Sequence, residues 1–158
     1  MFVDSFNKLL KNKDEIISNC REFIQEIDDT EALETEKAGL CGESRLLYTK
    51  IQNYIDKNAI ETLDQNEYKE HYNTLSNEYE ELKHKIEKID DKLKDKRARV
   101  ISIENFLNEI SARENLIDTF DEKLFTSVVD KIIVKSYTKA AIVFKNGQEL
   151  SLNLEEYK

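Results

Sequence analysis

Counting alternately four and three residues from Tyr68 lands on Tyr72, Leu75, Tyr79, Leu82, Ile86, Ile89, Leu93, Lys96, Val100, Ile103, Leu107 and Ile110. With Lys96 as the one polar interruption, this is the stripe of a coiled-coil helix. Asp64 and Glu67 have the spacing of a capping box just ahead of it. The pattern predicts a helix over residues 64–111, about 70 Å long at about 1.5 Å per residue.

An earlier stripe supplies a partner. Val3, Phe6, Leu10, Ile17, Cys20, Ile24 and Ile27 keep the same spacing with Lys13 as the exception, and Leu33, Leu40, Leu47, Ile51 and Tyr54 resume it in shifted phase. Residues 27–30, "IDDT", lie between the two runs. There the helix either breaks and recaps or continues through a stammer that overwinds the coil. Continuity is favoured, because one arm of about 55 residues then matches the second in an antiparallel hairpin with its tip near residues 58–64.

Beyond residue 111 the period changes. "FDEKLFTSVVDK" from Phe120 predicts a short helix with Leu124, Phe125, Val128 and Val129 on one side. Alternation then predicts strands at 132–136, 140–144 and 149–152, with Asn146-Gly147 suited to a type I′ hairpin. The predicted class is mostly α: a long antiparallel helical hairpin over residues 1–112, then a short helix and a small three-stranded antiparallel β-meander over 113–158.

Composition sharpens this picture. Charged residues make up 36% of the 158 and proline is absent, which suits long exposed helices. Cys20 and Cys41 form no CxxC pair and read as ordinary thiols, not as a disulfide scaffold or zinc site. No apolar run reaches the roughly 20 residues of a membrane span, and the opening "MFVDSFNKLL" lacks the order of a signal peptide, so the expected compartment is the cytoplasm. The net charge of −9 argues against a free-standing nucleic-acid binder. One local exception runs from Lys131 through Lys135 and Lys139 to Lys145 without an acidic residue. These lysines either face a phosphate backbone or, the favoured reading, protect sheet edges.

Catalytic patterns are not visible. Ser44 in "GESRL" lacks the second glycine of a nucleophile elbow and falls in a helical stretch. His71 and His84 are not at metal-binding spacing, and "AGLCGES" has no lysine to complete a phosphate loop. No catalytic or metal-ligating residue is therefore assigned. Gly39 and Gly42, inside the first arm, mark either a hinge or, preferred, close helix packing or a local kink.

Three stretches resemble the C-terminal part of the large serine recombinases, the family of phage serine integrases and transposon resolvases. "FVDSFNKLLKNKDEII" resembles the helix that leaves the family's zinc ribbon, and "LDQNEYKEHYNTLSNEYEELKHKIEKID" resembles the returning arm of its coiled coil. The most specific is "FDEKLFTSVVDKIIVKSYTKAAIVFKNGQEL", similar to the closing helix and hairpin of that region. The resemblance implies a non-catalytic module of a site-specific DNA recombinase, with the attacking serine and the zinc-ligand cysteines in an upstream part of a larger protein. It implies no cofactor in these residues themselves. The partners implied are other recombinase subunits met through the coiled coil, DNA held by the parent protein, and a directionality factor. The contact region expected at the tip is Ile55, Ile60, Leu63 and Tyr68, although the same residues could simply close the hairpin loop. The competing expectation is a cytosolic adaptor coiled coil that dimerises along residues 64–111.

Overall fold

The computed structural model describes residues 1–61 and 63–157, so that Thr62, within the predicted tip, and Lys158 lie outside the described residues. Five helices are followed by three strands: α1 (Phe2–Lys11), α2 (Lys13–Asp28), α3 (Glu31–Ile60), α4 (Gln65–Ser111), α5 (Glu122–Val128), β1 (Val129–Val134), β2 (Lys139–Phe144) and β3 (Glu149–Asn153), with a closing 3-10 turn. The chain is mostly helical, with a long antiparallel helical hairpin and a small three-stranded sheet, as the periodicity predicts. By contacts it divides into two compact units, one formed by Met1–Asp28 with Lys96–Lys158 and the other by Asp29–Asp95.

In the second unit α3 and the first part of α4 run antiparallel. Tyr54 stacks on Tyr68, Tyr48 lies beside Tyr79, and Lys37 pairs with Asp90. Leu47, Ile51, Ile89 and Leu93 are buried along this seam. The 47-residue α4 begins where the sequence places it, because the Asp64 carboxylate accepts from the amides of Asn66 (2.9 Å) and Glu67 (3.1 Å).

The first arm is not continuous. Asp29 and Thr30 stand outside any helix, and Thr30 caps α3, its carbonyl accepting from the Glu34 amide at 2.9 Å. Aspartate and threonine side chains compete for nearby backbone groups, and Glu31 and Glu34 favour a fresh N-terminus through the helix dipole. A second break falls at Asn12, where α1 ends with φ −113°. It turns the face of Phe2, Phe6, Leu9 and Leu10 into the core of the first unit.

Two polar interruptions of the stripes, Lys13 and Lys96, have a common explanation. Lys13 Nζ donates to the Arg113 carbonyl (3.1 Å), just beyond the end of α4, and Lys96 Nζ donates to the Ile27 carbonyl (3.1 Å) in the last turn of α2. Each lysine meets the carbonyl end of its neighbour, where orphan acceptors and the helix dipole favour a cation.

The core of the first unit collects α1, α2, the end of α4, α5 and one sheet face. Phe6, Phe106, Phe144, Ile103 and Ile110 are fully buried there. Phe106 falls outside the predicted stripe, which named the half-buried Leu107 instead. At this end α4 must meet helices and a sheet together, so its buried face broadens beyond a two-helix seam. Asn7 of α1 also holds the extended segment after α4, donating to the Ile117 carbonyl and accepting from the Ile117 amide, both at 2.9 Å.

The sheet order is β1-β2-β3, antiparallel throughout. Three expectations are corrected. Helix α5 starts at Glu122, because Asp121 caps it by accepting from the amides of Lys123 and Leu124. Strand β1 begins at Val129, directly at the end of that helix, and absorbs Asp130 as an irregularity between its first two pairings with β2. The β2–β3 turn is not type I′, since Gly147 alone has positive φ (89°). Instead the Gly147 amide bonds to the Phe144 carbonyl and the Phe144 amide to the Gln148 carbonyl, giving a three-residue loop closed by a glycine bulge. No helix among the described residues is long and apolar enough to cross a membrane.

Replacing Phe106 with alanine is expected to cost about 3–5 kcal/mol, whereas Ile101→Ala, at a site 57% exposed on the same helix, should change stability by under about 0.5 kcal/mol. Urea unfolding followed by circular dichroism checks both values.

Candidate interaction surfaces

The predicted tip residues occupy the last turns of α3, the connecting loop and the first turn of α4. Ile55, Leu63 and Tyr68 are half-buried, while Ile60 closes α3 with 86% of its surface exposed. The loop is held from within by the Gln65 side-chain amide, which donates to Asn58 Oδ1 (3.1 Å) and to the Leu63 carbonyl (3.0 Å).

Behind the loop lies a cluster that periodicity alone does not reveal. Tyr54 and Tyr68 stack with ring centroids 5.1 Å apart, Tyr72 continues the stack at 6.0 Å, and His71 meets Tyr54 edge-on at 4.6 Å. Tyrosine at 68, 72 and 79, where leucine would serve a plain seam, is the sequence signal for it. Such rings bury a large apolar area and keep a polar edge in water, which suits a rigid platform under an exposed contact.

The lysines of the sheet fall into two kinds. Register places Lys131 opposite Val143 and Lys139 opposite Asn153, on the face away from Ile142, Phe144 and Leu152. Both are exposed, Lys131 with Asp130 at 3.8 Å. Lys135 pairs with Glu149, and Lys145 Nζ donates to the Thr126 carbonyl at 2.8 Å. The four lysines therefore do not form one unopposed cationic row. The turn between β1 and β2 adds Tyr137, 98% exposed and overlooked in the sequence because it lies outside both strand patterns.

Gly39 and Gly42 lie within an uninterrupted α3, both exposed, and a Cβ at either would meet nothing within 4 Å. Of the favoured expectation, close helix packing or a local kink, the close packing is corrected: the space a Cβ would take at either glycine is open. Ser44 lies half-buried in the same helix, and His71 and His84 are exposed.

Cys20 is buried in the first unit, and the Asn146 side-chain amide donates to its sulfur at 3.6 Å. Burial pushes its thiol above the ordinary value, against the lowering effect of that hydrogen bond. Cys41 is half-buried on α3 in the other unit. No group of three or more His, Cys, Asp or Glu among the described residues is arranged to hold a metal ion.

No protein-family model matches the chain, and comparisons with curated proteins and with solved structures found no match.

Two outcomes follow from this geometry. Gly39→Ala and Gly42→Ala should each raise stability by about 1 kcal/mol, read as a higher urea midpoint at unchanged slope; a loss would restore the packing explanation. For Cys20, the folded chain holds the thiol proton more tightly than the unfolded one, so the stabilisation is complete at neutral pH and falls as alkaline pH ionises the unfolded thiol. A Cys20→Ala variant, though less stable throughout, should lose less of its stability between neutral and alkaline pH than the wild type.

Proposed function

We propose that this chain is a non-catalytic arm of a cytoplasmic site-specific DNA recombinase of the large serine recombinase type. Its α3–α4 hairpin meets other recombinase subunits to control synapsis and directionality, and a directionality factor is a further partner. DNA is gripped mainly by other parts of the parent protein, in keeping with the net charge of −9 and with the engagement of Lys135 and Lys145 inside the fold.

The observation that carries this reading is Ile60. A large aliphatic side chain almost wholly in water at the end of α3, in a hairpin whose arms stack Tyr54 on Tyr68, makes a small contact suited to reversible association. The competing adaptor reading needs the α4 stripe to be free for another chain. Here that stripe has neighbours within the chain itself: Tyr54 and Tyr48 of α3 meet its Tyr68 and Tyr79, Lys96 reaches the Ile27 carbonyl of α2, and Ile89, Leu93, Ile103 and Ile110 are buried.

Sedimentation equilibrium of the wild type beside an Ile60→Glu, Leu63→Glu double variant tests the proposal. A weak wild-type oligomer that the charges dissolve at unchanged helicity is the expected result. A tight dimer indifferent to both charges would falsify the tip contact in favour of the adaptor.

A further inference from the structure

The first unit contains an open cleft of about 690 Å³, within the range of ligand-binding clefts, which the recombinase reading does not use. One wall is a single face of α2, with Glu15, Asn19 and Phe23 rising over a floor of buried Ile16 and Cys20. The other wall is the β2–β3 turn. That turn is held rigidly: Asn146 Oδ1 accepts from the Gln148 amide at 3.0 Å, and Asn146 Nδ2 donates to Cys20. At one end the Arg99 guanidinium lies 5.1 Å from the centre of the Phe23 ring.

Charge is laid out along this cleft. Neither Arg99 nor Glu15 forms an ion pair among the described residues, although acidic side chains outnumber basic ones 33 to 24 in the chain. Glu15 precedes Phe23 by about two helical turns, which separates the carboxylate from the ring that carries the guanidinium by roughly 12 Å along α2. Between them lie an apolar floor and the primary amides of Asn19 and Gln148, each of which offers a donor and an acceptor in the pattern of a peptide group.

We propose that this cleft binds a short extended peptide segment of a partner protein, with an acidic side chain on Arg99, a basic side chain towards Glu15 and an apolar residue between them on Ile16 and Cys20. An extended strand advances about 3.3 Å per residue and turns alternate side chains to one face, so about five residues span the distance, with the two charges at the first and fifth positions and the apolar residue at the third. Arg99 is suited to its part, because a guanidinium held on a ring is already oriented to take a carboxylate by two parallel hydrogen bonds. The inference rests on the cleft alone and stands whether or not the recombinase reading does.

The test is a titration of the isotopically labelled 158-residue chain, followed by amide chemical shifts, with acetylated, amidated pentapeptides. The probes are Glu-Ala-Leu-Ala-Lys, its reverse Lys-Ala-Leu-Ala-Glu, an all-glycine control and a short DNA duplex. The expected result is that one charged peptide shifts Asn19, Asn146, Gly147 and Gln148 saturably, the control does not, and Arg99→Ala weakens binding roughly tenfold, the loss of one charge-assisted contact. Arg99→Lys, which keeps the charge without the fork, should fall between. The proposal is overturned if neither charged peptide moves these resonances, if the glycine control moves them equally, or if the duplex alone does so, which would assign Arg99 to phosphate.

Discussion

A helix of 47 residues with an apolar stripe along its length must find cover for every turn of that stripe, and this requirement organises the rest of the molecule. No single neighbour is long enough. Helix α3 meets the first part of α4, and α2, α1, the short α5 and one face of the sheet meet the last part. Where the cover is a single helix the seam stays narrow, with Leu47, Ile51, Ile89 and Leu93 as its buried members. Where the cover comes from several elements the buried face widens to take in Phe106, and aromatic rings fill the larger volume.

Each departure from the stripe has its own physical reason. A lysine inside an apolar seam normally weakens it, since its charge must be kept hydrated or paired. Lys13 and Lys96 avoid that cost by extending their stems over the seam and placing the ammonium on a carbonyl at the end of the neighbouring helix. The seam is interrupted where a helix terminus needs a cation. Lys37 meets the same difficulty in the middle of α3 and pairs with Asp90 instead.

Much of this was legible in the residues. The start of α4 at Asp64, the antiparallel return, the α5 core residues Leu124 and Val128, and the three strands all follow from spacing and cap chemistry. What escaped depends on where the chain meets a third body. The breaks at Asn12 and at Asp29 and Thr30 interrupt a heptad that would fit a longer coil, because the face of α1 is needed against a sheet that spacing cannot locate. The early start of β1 hides in the helical face that Val128 and Val129 complete. The tip residues could be named from their place between the arms, whereas Arg99, carried on the outward side of α4, acquires a role only when Phe23 and the Asn146 turn stand beside it.

One of the two compact units is continuous in sequence, from Asp29 to Asp95, and the other is assembled from both ends of the chain. The difference sets an order for folding during synthesis. The helical hairpin closes through near neighbours and needs nothing made after it. Phe2 and Phe6, made before the hairpin, must wait for Phe125, Phe144 and Leu152, made after it, before they leave water. The first unit therefore pays the entropy of a long loop closure, which the prior folding of the hairpin shortens by replacing flexible chain with a rigid stem.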